Sequence, residues 1–94
     1  MPKAVWNGTV LADSDHTEVV EGNHYFPADS VSTDHLRPSE RTSVCPWKGT
    51  ASYYDVVVGE DRRAAGAWYY PDPSDAAANI RDHIAFYGFV DVVD

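Results

Sequence analysis

Thr50-Ala-Ser-Tyr-Tyr-Asp-Val-Val-Val58, the polar turn Gly59-Glu-Asp-Arg-Arg63 and the return Ala64-Ala-Gly-Ala-Trp-Tyr-Tyr70 decide the fold of this chain. The first run is the longest strand candidate. Its two-residue alternation puts Thr50, Ser52, Tyr54, Val56 and Val58 on one face and Ala51, Tyr53, Asp55 and Val57 on the other. In the return run Ala65, Ala67 and Tyr69 face opposite to Gly66, Trp68 and Tyr70. Together the runs predict a long hairpin that sets Tyr53 and Tyr54 near Trp68–Tyr70. Pro71-Asp72-Pro73 excludes helix across its own residues and forces a corner.

On the N-terminal side, Lys3–Trp6 and Thr9–Ala12 are apolar, β-leaning segments joined by Asn7-Gly8. That dipeptide accepts positive φ at both positions and predicts a type I′ hairpin. Asp13-Ser14-Asp15 is a turn and Thr17–Glu21 a third strand. Gly22-Asn23 signals a second turn, leading into His24-Tyr25-Phe26 and stopping at Pro27. Ala28–Glu40 is the least patterned segment. It is expected to be a structured surface loop, or to hold one helical turn capped by Asp29 or Ser30 and ending near Leu36 before Pro38. Arg41–Val44 is a short extended piece. On the C-terminal side, Ser74 is the expected N-cap of a short helix over Asp75–Asn79, with an extended segment after it. His83–Tyr87 fits a strand and also fits helical spacing. Val90–Val93 is expected as a final edge strand beside the N-terminal hairpin.

The 94 residues predict one domain. A chain of this size buries about 60–65% of its unfolded surface, so its core is thin and each large ring counts. Hydrophobic residues make up 44% and aromatics 13%, which is a globular composition. The net charge of -8 repels phosphate backbones and anionic membranes, so neither nucleic acid nor membrane is an expected partner. No leader-like or membrane-spanning apolar run is present in the sequence. The single cysteine cannot close an internal disulfide, and a cytoplasmic location is expected.

Chemistry concentrates in Thr42–Tyr54, which holds Cys45-Pro46-Trp47-Lys48-Gly49 and the Tyr53-Tyr54 pair. A thiolate is favoured by a nearby cation, and Lys48 lies three residues from Cys45. His24 is the best candidate for a paired base, with His16, His35 and His83 also available. Against a chemical role, a lone cysteine most often packs as a small apolar side chain. No Cys-x-x-Cys pair and no helically spaced histidine pair suggests zinc, and no cofactor is expected. Lys48-Gly49-Thr50 ends like a phosphate-binding loop but lacks the upstream glycine and falls where a strand is expected. The second half is crowded with rings, at Trp47, Tyr53, Tyr54, Trp68, Tyr69, Tyr70, Phe86 and Tyr87. A plain core explains some of them. Tyrosine, however, needs a partner for its hydroxyl when buried, and five tyrosines in this half suggest hydroxyls along a cleft.

These blocks resemble the bacterial and fungal family of domain of unknown function 427. The resemblance rests on Ala4-Val5-Trp6-Asn7-Gly8, Val20 to Pro27, Thr42 to Tyr54, Ala67-Trp68-Tyr69-Tyr70-Pro71 and Ala85-Phe86-Tyr87. It covers nearly the whole chain. It implies a mainly β, tent-type (Mss-four-like) fold with one or two short helical turns. That fold is shared with the cereblon drug-binding domain, the Mss-four-like exchange proteins and one class of methionine sulfoxide reductase. Such relatives often carry a four-cysteine zinc site, which one cysteine cannot build. A nucleotidyltransferase label sometimes goes with the family, yet this chain shows no carboxylate pair on a Gly-Ser loop.

The first expectation for function is a module with an aromatic-lined pocket for an unknown small molecule, built from Trp47, Lys48, Tyr53, Tyr54, Trp68 and Tyr70. The alternatives are a cysteine-dependent enzyme using Cys45 with His24, in thiol redox or hydrolysis, and a protein-interaction subunit. Neither the ligand nor the oligomeric state is readable from the residues.

Overall fold

The computed structural model describes residues 2–94. The chain is mainly β, with two sheets, and among the described residues the helical stretches are all 3-10. The first hairpin pairs β1 (Lys3–Trp6) with β2 (Thr9–Asp13). Asn7 at φ 51° and Gly8 at φ 70° close it, as a type I′ turn requires. The last strand, β9 (Asp91–Val93), adds antiparallel to β1, giving a three-stranded sheet in the order β2-β1-β9.

The larger sheet holds β3 (Glu18–Val20), β4 (Asn23–Pro27), β5 (Leu36–Cys45), β6 (Gly49–Val58), β7 (Asp61–Tyr69) and β8 (His83–Phe86). Its order is β3-β4-β8-β7-β6-β5. The expected central hairpin is present, with Tyr53 opposite Trp68 and Tyr54 opposite Ala67. Its turn is shorter than expected. Val58 already pairs with Asp61, so Gly59-Glu60 alone makes the reversal and the return strand starts early. A β-bulge interrupts this ladder beside Asp55. There Ala65 adopts φ 50°, and the Asp55 carboxylate accepts its N–H at 2.8 Å.

Three expectations change. The turn between β3 and β4 is Glu21-Gly22, not Gly22-Asn23, because Val20 pairs with Asn23. The positive φ values are 55° at Glu21 and 79° at Gly22, so a glutamate occupies a position usually left to Asn or Gly. The segment Ala28–Glu40 is not one loop. It holds 3-10 turns at Ala28–Ser30 and Thr33–His35 and then enters β5, whose strand runs through Pro38. Proline is tolerated there because β5 is the outermost strand and its register shifts between Pro38 and Thr42. Ser74 stands before the 3-10 stretch Asp75–Ile80 but does not cap it with its side chain. Its hydroxyl donates to the Trp47 carbonyl, and its N–H donates to the Lys48 carbonyl at 2.9 Å. The capping residue thus ties a distant turn in place.

The large sheet buries residues on both faces. One face packs on the small sheet through Ala4, Leu11, Phe26, Val56, Ala67 and Phe86. The other carries Tyr25, Ala51, Tyr53, Trp68, Tyr70 and Ala85, partly covered by Ala77 and Ile80 of the 3-10 stretch. This second cluster is nearly all aromatic and alanine, which pairs large rings with small neighbours. No helix among the described residues is long and apolar enough to cross a membrane.

Candidate functional site

The aromatic face is built by alternation. Tyr53 and Trp68, opposite each other on β6 and β7, point to the same side. Tyr25 on β4 points there too, and its hydroxyl accepts the Trp68 Nε1–H at 3.1 Å. The two rings meet edge to face at 6.1 Å. A buried tyrosine and a buried tryptophan thereby satisfy each other, so their polar atoms cost little inside the core.

The Cys45–Gly49 segment closes β5 onto β6 by a turn of Pro46, Trp47 and Lys48. Lys48 is the unusual member. Its residue is only 7% exposed, yet it carries an ammonium group. That group donates to the Glu21 carboxylate and lies 5.4 Å from the Trp47 ring centre and 5.5 Å from that of Tyr70. Burial works to lower the Lys48 pKa. The Glu21 carboxylate, with smaller help from Tyr25, Tyr70 and Cys45, outweighs it and holds the group above its ordinary value. The Lys48 ammonium in turn holds Glu21 below the ordinary carboxylate value. Lys48 is therefore a cation at neutral pH, and it already lies against two ring faces.

A second polar group lies along the same face. The Ser43 and Tyr53 hydroxyls are 2.8 Å apart, and the Tyr53 and Tyr87 hydroxyls 3.5 Å apart. The Arg41 guanidinium sits 4.9 Å over the Tyr53 ring. Tyr87 leans on Trp68 with ring centres 4.5 Å apart. Burial works to raise the Tyr53 pKa, but its contacts with the Ser43 and Tyr87 hydroxyls, with the Arg41 charge, bring it below the usual tyrosine value. Tyr87 is raised, first by its contact with the Tyr53 hydroxyl and then by burial.

The structure gathers Cys45, Trp47, Lys48, Tyr53, Trp68 and Tyr70 on this face. It separates two expected members from them. Tyr54 is one residue out of phase. It stacks on Tyr69 at 4.9 Å and packs with the inter-sheet core. His24 shares the side of Phe26, with ring centres 6.5 Å apart, and Phe26 belongs to the same inter-sheet core. Its Nδ1 meets the Thr17 hydroxyl at 3.1 Å. Cys45 packs against the opposite cluster, so the expected Cys45–His24 pair is not formed. The expected aromatic-lined pocket is also not formed among the described residues. Tyr53, Trp68 and Tyr70 close on one another and on Ala51 and Ala85 as core. What remains open to solvent is a shallow face with Trp47 42% and Tyr87 43% exposed.

The sequence matches one family over residues 2–94, described as a domain of unknown function (DUF427). The chain belongs to that family. No curated protein matches this family member. Among its described residues no group of three or more His, Cys, Asp or Glu side chains is placed to hold a metal ion.

Sequence reasoning missed Glu21, Tyr25, Arg41 and Ser43 and gave Tyr87 no site role. Tyr25 and Ser43 were within reach of two-residue alternation once their strands and registers were known. Glu21 had only one signal, a charged residue beside a turn glycine. Its meeting with Lys48 joins residues 27 positions apart and has no signature in spacing.

Proposed function

We propose that this chain is a small-molecule-binding module that uses the open aromatic face of its large sheet. The observation that carries the reading is the pair of half-exposed rings, Trp47 and Tyr87, on a face that also holds a buried ammonium and a chain of hydroxyls. Exposed rings supply contact area to a flat ligand with little loss of side-chain freedom. The polar groups beside each ring supply orientation. A quaternary ammonium ligand fits poorly, because Lys48 already lies against the faces of Trp47 and Tyr70 and Arg41 against that of Tyr53. A flat ring with acceptor atoms fits better.

Tryptophan fluorescence tests this. Benzamide, a nucleoside and a quaternary amine are titrated into the wild type and into Trp47→Ala and Tyr87→Ala. A saturable change with the flat rings, weakened in at least one variant and smallest for the quaternary amine, is expected. Linear, unsaturated responses from every ring compound would leave the face without a binding role.

A further inference from the structure

The chain carries a net charge of -8, yet its cations are gathered unevenly. Arg37 lies opposite Asp55 and Arg62 opposite Val57, both on the Tyr53 side of β6. With Arg41 and Lys48 they make four of the seven Lys and Arg residues on the aromatic face. Three of these four have internal partners. Lys48 is held by Glu21 and Arg62 by Asp55. Arg37 donates to the carbonyls of Asp34 and Leu36, both at 2.9 Å. Arg41 differs. Among the described residues its guanidinium has no carboxylate partner, and it is set over the Tyr53 ring.

Around the Tyr53 ring that Arg41 covers, the hydroxyls of Ser43, Tyr53 and Tyr87 carry three protons between them but make only two contacts with one another. One O–H of the three is therefore not spent within the group, and which residue holds it depends on how the two bonds are oriented. Tyr53 itself is only 6% exposed, so its hydroxyl is set by packing and not by solvent. A guanidinium fork over the Tyr53 ring, with one hydroxyl donor of the group unspent, matches the two oxygens of a carboxylate or of a phosphate. The neighbouring Tyr87 ring is exposed and supplies a platform for a flat group.

We infer that Arg41, with the Ser43, Tyr53 and Tyr87 hydroxyls, forms an oxyanion-recognition site, and that its ligand is a small flat ring bearing a carboxylate or phosphate. This rests on the binding role given to the aromatic face and names the ligand class. Arg37 and Arg41, which have no carboxylate partner among the described residues, locally oppose the acidic field that repels such a ligand elsewhere on the chain.

The probes are benzoate, phenyl phosphate, inorganic phosphate and neutral benzamide. Binding to the full chain is followed by backbone and tyrosine-ring NMR shifts. Saturable shifts at Arg41, Ser43, Tyr53 and Tyr87 are expected with benzoate or phenyl phosphate, and the tighter of the two identifies the oxyanion. Arg41→Gln is expected to weaken that anion about tenfold and to change benzamide by less than about twofold. Tyr53→Phe, which removes only a hydroxyl, is expected to weaken the anion with the fold intact. Added salt should weaken the anion and spare benzamide. Equal affinity for benzamide and the anions, or full anion affinity in Arg41→Gln, overturns the oxyanion site while leaving a ring-binding face. Inorganic phosphate binding as tightly as phenyl phosphate removes the ring from the ligand. No saturable shift with any ring compound overturns both readings.

Discussion

Gly66→Ala puts the junction between the two sheets under a direct load. A Cβ at residue 66 would lie 2.7 Å from Cζ and 2.9 Å from Cε1 of Phe89, and 3.1 Å from Cβ of Arg63. Gly66 does not sit at positive φ, so the backbone itself accepts alanine. The Phe89 ring has little room to retreat. Trp6 of the small sheet meets it edge-on at 5.0 Å, and the Arg63 guanidinium sits 4.9 Å from its centre. Two effects compete. Restricting the unfolded chain by replacing glycine stabilises by about 0.4–1 kcal/mol where alanine fits. Overpacking costs about 1–3 kcal/mol where it does not. With contacts below 3.0 Å against a ring held from two sides, overpacking wins. For a domain of this size the thermal midpoint should fall by roughly 5–20 °C. Circular dichroism gives the midpoint and Trp6 fluorescence reports the junction. Phe89→Leu in the Gly66→Ala background should recover part of the loss, because it removes the ring atoms that collide. If Gly66→Ala melts at or above the wild type, or the double-variant cycle shows no coupling, Phe89 does not wedge the sheets together.

The other expectations concern charge and reactivity. Asp55→Ala should destabilise the chain by about 1–3 kcal/mol in urea, because the Ala65 N–H in the bulge loses its acceptor. The Asp55 pKa is lowered, first by that N–H and then by Arg62, so its contribution is full above the unfolded value near pH ~3.9 and is lost as pH falls through the lower folded value. Acid unfolding in Asp55→Ala should lack this component, and an unchanged acid limb would contradict it. Glu21→Gln should be less stable than Lys48→Met, since the first leaves a buried ammonium without its anion and the second leaves a half-exposed carboxylate to water. The reverse order in denaturant titration would mean that the pair is incidental. In the wild type the Glu21 contribution fades as pH drops through its lowered folded pKa, and the Lys48 contribution fades as pH rises through its raised one. Finally, His24→Ala should leave the rate of iodoacetamide alkylation at Cys45 unchanged, because the two lie on opposite sides of the sheet. A several-fold fall in that rate would put the imidazole within reach of the sulfur after all.

Period-two alternation and turn chemistry were legible in the residues alone, because both act between near neighbours. They showed the Asn7-Gly8 hairpin, a central hairpin that brings Tyr53 near Trp68 and a last strand beside the first hairpin, but the register that sets Tyr53 opposite Trp68 came only with the shorter Gly59-Glu60 turn. The same alternation put Tyr53 and Tyr54 on opposite faces, but both were expected in one site, and only the two-sided packing of the sheet assigns them to different cores. What the residues could not express was which strand edges were outermost and which side of the sheet each distant group reached. Pro38 reads as a strand breaker until β5 is seen at the sheet edge, where a missing N–H leaves no partner unsatisfied. Glu21 and Lys48, His24 and Cys45, Gly66 and Phe89 meet or miss through long-range packing, and spacing along the chain carries no record of it. Only the folded sheets decide that a lysine is buried against its carboxylate while an arginine on the same face is left free to recruit one from outside.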